Sequence, residues 1–167
     1  MEKKKNSSSE TTSGARANKT GGRLEAFVED ALKRAGYKEF WNHKTQMFEN
    51  RKVIGGKQYL KQALCGKTIY ETDRYVDFLI VNKAKFKDGL IIECKWQESG
   101  GSVDEKYPYV IFNIIKTEIP TIVLIDGGGY RPAALKFLKG EASKDSAFKG
   151  AWTMAEFQKQ INDGFLG

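Results

Sequence analysis

The chain has 167 residues, with 28 Lys and Arg against 21 Asp and Glu for a net charge of +7, one histidine and two cysteines. That length builds one domain with a real core, no apolar run approaches the ~18 residues of a membrane span, and two cysteines make no disulfide framework. A basic surface favours nucleic acid or an anionic membrane, while zinc centres and proteases built on two or more histidines are excluded.

Residues 1–21 hold almost no large apolar side chain and carry five Lys and Arg against two Glu. They cannot bury enough surface to stay folded, so a disordered basic tail is expected, followed by a single domain over 22–167. The start, Met1-Glu2-Lys3-Lys4-Lys5 before Asn-Ser-Ser-Ser, lacks the apolar centre of a signal peptide. Together with reduced Cys65 and Cys94 this points to the cytoplasm, or the host-cell cytoplasm if the chain is phage-encoded.

From Gly22, Leu24, Phe27, Val28, Ala31, Leu32 and Ala35 recur at helical spacing, and Gly36 supplies the stop. Glu25 lies on the edge of that stripe, in line with Val28 and Leu32. From the stripe alone it reads as a solvated helix glutamate like Glu29.

In residues 37–71, Lys38, Lys44, Arg51, Lys52, Lys57, Lys61 and Lys67 interleave with Phe40, Trp41, Phe48, Tyr59 and Tyr70. The mixture suits phosphates and stacked bases, as in a DNA-contacting insertion using Lys44, Arg51, Lys52, Lys57 and Lys61. It equally describes a partly buried surface element. Gly55-Gly56 marks a turn, and 67–71 is expected to form a first strand. His43, the single histidine, reads as a surface or hydrogen-bonded residue, since no nucleophile-elbow motif accompanies it.

Two apolar runs follow, Tyr75-Val76-Asp77-Phe78-Leu79-Ile80-Val81 and Gly89-Leu90-Ile91-Ile92-Glu93-Cys94-Lys95-Trp96. The polar loop between them ends in Asp88-Gly89, which predicts a hairpin. Residues two apart on a strand share a face, so Glu93 and Lys95 project together, Cys94 points the other way, and Asp77 falls beside Glu93. Burying such charges costs several kcal/mol without a compensating partner. A divalent cation is the simplest partner, because Asp and Glu oxygens suit Mg²⁺ and leave room for water and phosphate oxygens.

Gln97 continues the alternation of Glu93 and Lys95, or is simply an exposed strand end. Gly100-Gly101 frees the chain, and Ser102-x-x-Glu105 reads as a capping box opening a second helix, buried through Val103, Tyr107, Val110, Ile111, Ile114 and Ile115. Pro108 makes it start late or bend, and Asp104, Glu105 and Lys106 read as cap and solvated face. The apolar run from Pro120 to Asp126 is a strand covered on both faces, parallel to the site strand through the crossover helix. Gly127-Gly128-Gly129 lacks the Lys-Ser/Thr of a phosphate-cradling loop, so no nucleotide cofactor is expected. A short helix follows Tyr130-Arg131-Pro132. Trp152, Met154, Phe157, Ile161 and Phe165 suggest a last helix packed on the sheet or on a second subunit.

Asp77 followed by Glu93-x-Lys95 on the next strand resembles the signature of the PD-(D/E)XK nuclease superfamily, with Val76 in place of the proline. Acid-x-Lys triplets also occur at Glu2-x-Lys4 and Asp104-x-Lys106, but only the one at 93–95 lies in an apolar strand after a strand bearing Asp. The runs 91–97, 101–109 and 126–130 extend the likeness to a small restriction or homing-like branch, over about residues 22–140.

The resemblance implies a restriction-endonuclease-like α/β fold, a mixed central sheet flanked by helices. It implies a Mg²⁺-dependent DNA endonuclease in which Mn²⁺ substitutes, sequence-selective as in restriction, homing or phage-encoded enzymes. Asp77, Glu93, the Cys94 backbone carbonyl and Glu25 would hold the metal, Lys95 would orient or deprotonate water, and Gln97 and Glu25 would assist. DNA and a second copy of the chain are the expected partners, with no membrane. A junction or repair nuclease, an idle DNA-binding module of the same fold, and a structural Glu93–Lys95 salt bridge in an unrelated protein are the alternatives.

Overall fold

The computed structural model describes residues 13–41, 47–52, 54–98, 100, 104–143 and 146–167. Helix α1 (Ser13–Arg34) places Leu24, Val28, Ala31 and Leu32 on one fully buried stripe, as their spacing requires. It ends in a Schellman motif. Tyr37 N–H bonds Leu32 O and Gly36 N–H bonds Lys33 O, with Gly36 at φ +83°. The helix begins well before the expected Gly22, so the disorder expected over 1–21 does not hold from 13 onward; residues 1–12 lie outside the described residues. Extending a helix whose later turns are already packed costs little.

Six strands form one sheet in the order β1-β2-β3-β4-β5-β6. They are β1 (Lys38–Glu39), β2 (Gln58–Lys67), β3 (Asp73–Asn82), β4 (Phe86–Trp96), β5 (Thr121–Asp126) and β6 (Phe148–Trp152). β2, β3 and β4 are antiparallel, whereas β4, β5 and β6 run parallel, as do β1 and β2. The mixed α/β sheet and the 75–96 hairpin are as the sequence predicted.

The stretch 37–71 is built into this sheet as β1 and β2 rather than appended to it. The first long strand is 58–67, and the expected strand at 67–71 is instead the end of β2 and a turn closed by Thr68 N–H to Thr72 O, with Glu71 at φ +62°. Gln62, at φ +47°, interrupts the alternation of β2, so Leu60 and Ala63 pack into the same apolar cluster. That slip hides the strand from a period-two reading. Tyr59 is buried and Phe40 and Phe48 pack against the core, which leaves Trp41 and Tyr70 as the exposed aromatics of the stretch.

Helices cover both faces. On one, α1 and α4 (Met154–Asn162) pack on Phe78, Ile80, Ile92, Ile122 and Leu124. On the other, α2 (Tyr107–Thr117) and α3 (Pro132–Glu141) pack on Val123 and Ile125, so β5 is buried on both sides. α2 starts late, with Pro108 in its first turn; Ser102 lies outside the described residues. Its inward stripe is Tyr107, Ile111 and Ile114. Ile115, expected to be buried, sits a further ~100° around the helix and is exposed. Trp152 ends the unforeseen strand β6, which is short and carries Gly150. α4 begins after it with a Thr153–Glu156 capping box and docks on the sheet. No helix among the described residues is long and apolar enough to cross a membrane.

Candidate active site

The site forms where β3 and β4 part. Their ladder ends with Phe78 opposite Ile92, while β4 goes on pairing with β5 from Glu93 to Trp96. β4 is therefore held on one side and open on the other. In the opening, the Cys94 amide donates to Oδ2 of Asp77 at 2.7 Å, and Gln62 Nε2 donates to Oδ1 at 3.3 Å. The kinked Gln62 backbone of β2 thus aims a donor at the same carboxylate.

Lys95 binds these groups together. Its Nζ lies 2.8 Å from Oε2 of Glu93 and 3.7 Å from Oδ2 of Asp77. The other Glu93 oxygen, Oε1, is 3.0 Å from Nη2 of Arg74, whose Nη1 reaches Thr117 Oγ1 on α2 at 2.5 Å. Cys94 packs on the opposite face, against the α1 and α4 core, as strand alternation predicts.

Burial acts to raise both carboxyls, and the cations beside Glu93 set the two apart. Burial pushes the Asp77 carboxyl up, with Lys95 opposing and Glu93 adding to the effect. Burial also works against a charged Glu93, but Lys95 and Arg74 outweigh it and hold that carboxyl below its usual value. For Lys95, burial is outweighed by Glu93 and Asp77, so the amine holds its proton more tightly than an ordinary lysine. Glu25 on α1 is raised by burial and then by Asp77, with Lys95 and Lys61 pulling the other way. It belongs to the same electrostatic cluster.

Gln97 does not join them. β4 ends at Trp96, and Gln97 turns to the glycine loop, donating through Nε2 to Gly129 O at 3.2 Å. The loop crosses so closely that a Cβ on Gly127, at φ +104°, would lie 2.5 Å from Gln97 O, which accounts for glycine there. Asp104, read as solvated, is 8% exposed and accepts from Arg131 N–H.

The proposed DNA-contacting cations are mostly engaged elsewhere. Lys57 Nζ donates to Ala35 O at 3.0 Å and also to Gly167 O, at the end of β2 roughly 17 Å along the strand from Gln62. Lys61 pairs with Glu29 and Glu39 at 3.2 and 3.4 Å. The Arg51 guanidinium lies 3.6 Å over the Phe48 ring. Lys52 is exposed, and Lys44, like His43, lies outside the described residues.

Arg74 and Gln62 were not foreseen. Charge balance carried a signal for the first: Asp77 and Glu93 against Lys95 leave one buried negative charge, and Arg74 is the single cation of β3.

Among the described residues, no three His, Cys, Asp or Glu side chains converge as a metal cluster. The donor set still fits a hard cation completed by water and phosphate oxygens. Asp77 adds to the negative potential at Glu25, and burial raises both carboxyls despite the pull of Lys95. Glu93, by contrast, already has a cation on each oxygen.

A family model described as a PD-(D/E)XK nuclease superfamily domain matches residues 16–165. No curated protein and no solved structure matches the chain.

Proposed function

The chain belongs to the PD-(D/E)XK nuclease superfamily, and on that premise we propose that it is a Mg²⁺-dependent DNA endonuclease hydrolysing phosphodiester bonds. The observation that carries this reading is the meeting of Asp77, Glu93 and Lys95 at the fork between β3 and β4.

Asp77, with Glu25 and the Cys94 carbonyl, would hold Mg²⁺, or Mn²⁺ in its place, with Glu93 at the margin. The bound ion would polarise the phosphate and lower the pKa of an attacking water. Lys95 stays protonated between Glu93 and Asp77, which favours orienting the water and offsetting charge on the phosphorane over acting as its base. Glu93 keeps that amine charged and in place. Gln97 acts at one remove, by steadying the 127–129 loop against the end of β4.

One site cuts one strand, so a double-strand break needs two copies of the chain related by a two-fold axis. A homodimer acting on a preferred sequence in the cytoplasm is the leading setting.

The test is nicking of supercoiled plasmid with Mg²⁺. Asp77→Asn and Lys95→Ala should each bind DNA yet lose on the order of 10³-fold or more in rate. Undiminished cleavage by both variants removes the assignment. Light scattering beside the same assay tests the dimer, since a strict monomer that makes double-strand breaks contradicts it.

A further inference from the structure

Beside the site strand, under the first turns of α2, lies a cavity of about 300 Å³. Glu93 and Lys95 form part of its wall, so whatever fills it adjoins the reacting phosphate. The rest of the wall mixes the aromatic Tyr75, Tyr107 and Tyr109 with Lys106, the Asp73 carboxylate and polar side chains.

Tyr107 belongs to the core under α2, but the other two tyrosines do not. Tyr75 is 56% exposed, and Tyr109 stacks at 5.3 Å and 23° on Tyr70, which is 71% exposed. Tyr107 is 1% exposed, and its hydroxyl is buried without a hydrogen-bond partner among the described residues. A hollow walled by tyrosine rings, with cations at its edge, is built for a planar ring joined to an anion.

The size decides between a duplex and a single nucleotide. About 300 Å³ is the small end of ligand cavities, room for one base and its sugar. A base inside a duplex has both faces covered by its neighbours and cannot lie on a tyrosine. An unpaired base can, and stacking of this kind tolerates any base identity.

We infer that the cavity receives one unpaired nucleotide next to the scissile phosphate, its base stacked against Tyr109 and Tyr75 and its phosphate drawn toward Lys106. The inference rests on the nuclease reading of Glu93 and Lys95 and narrows its substrate. The preferred DNA carries a bulged, overhanging or extruded base beside the cut.

The experiment uses the intact chain in metal-free buffer, where no cleavage occurs, and two duplexes. One is fully paired; the other carries a single unpaired 2-aminopurine. The expected result is tighter binding of the second by roughly 5- to 100-fold, with its fluorescence quenched by stacking. Tyr109→Ala and Tyr75→Ala should each erase much of that preference, whereas Tyr109→Phe, which keeps the ring, should retain it. Phe137→Ala removes an exposed aromatic of α3 outside the cavity and should behave as wild type.

Equal affinity for the two duplexes, an unquenched probe, or full preference in both alanine variants with wild-type melting overturns the inference. A nicking assay on the same DNAs with Mg²⁺ separates the two readings. Quenching without cleavage removes only the nuclease reading, and cleavage with no preference for the unpaired base removes only this one.

Discussion

The backbone amide of Cys94 donates to the Asp77 carboxylate at the point where β3 and β4 separate. In a continuous ladder a carbonyl of β3 would take that bond, and strands about 4.8 Å apart would leave no space for an ion. The parting strands expose an amide that must find an acceptor, and the side chain of Asp77 supplies it. One residue therefore both closes the end of the hairpin and opens the site.

Asp77 is half-buried, and its carboxylate has Lys95 only at 3.7 Å. An ion binding there should raise the melting temperature of the wild-type chain. At 100 times its dissociation constant the gain is about 2.7 kcal/mol, or roughly 5–10 °C for a chain of this size. Asp77→Asn keeps an acceptor for the Cys94 amide but loses the charge, so its melting curve should ignore Mg²⁺ and Mn²⁺. A wild-type curve unmoved by millimolar Mn²⁺ would falsify the metal assignment.

Arg74 and Glu93 are the most buried ion pair among the described residues, their side chains 4% and 11% exposed. Arg74→Met should cost about 3–5 kcal/mol in urea unfolding, because it leaves Glu93 buried with one counter-charge fewer. Adding Glu93→Gln removes the stranded charge. The double variant should recover more than about 1 kcal/mol relative to the sum of the two singles. Simple additivity would mean that the two groups do not sense one another in the fold.

Glu29 pairs with Lys33 one turn on along α1 at 2.8 Å and ties the helix to β2 through Lys61 at 3.2 Å and the Tyr59 hydroxyl at 3.0 Å. The Lys33 bond foremost, against the cost of burial and with help from Lys61 and Tyr59, holds its carboxyl down to about 2 from an ordinary 4.5. The folded value lies below the unfolded one, so its stabilisation is complete above about pH 4.5 and fades as the pH falls toward 2. Glu29→Gln has no such term. The urea midpoints of wild type and variant should differ by a constant amount near pH 6 and converge below about 4.5; a gap that persists at low pH sinks the assignment.

Lys57 and Lys52 were equal candidates for phosphate contact in the sequence, and the fold separates them. Lys57 is committed to the carbonyls of Ala35 and Gly167. Its alanine variant should lose stability but keep the wild-type slope of DNA affinity against salt. Lys52 is exposed, and Lys52→Ala should lower that slope by about 1 if it meets a phosphate. A lowered slope in Lys57→Ala would show that this lysine leaves its carbonyls for DNA.

The hairpin, the shared face of Glu93 and Lys95, the placement of Asp77 and the parallel strand at 121–126 were legible because each follows from strand alternation or an apolar run within a few residues. β2 was not, since the kink at Gln62 breaks its alternation, nor was β6, which is short and interrupted by Gly150. The reach of Gln97 was overestimated, because alternation carries a side chain only as far as its strand continues, and β4 stops at Trp96.

By itself the amino-acid order determined the class of fold and three of the charged groups that meet, because pleat period and hairpin register are local properties of the chain. Only the tertiary structure decided that Arg74 takes one oxygen of Glu93, that Gln62 supports Asp77, that Lys57 and Lys61 are engaged in the scaffold, and that tyrosines gather beside Lys95. The physical reason is that a buried charge is satisfied by whatever the packing of distant segments brings within about 3 Å, and spacing along the chain carries no record of that distance.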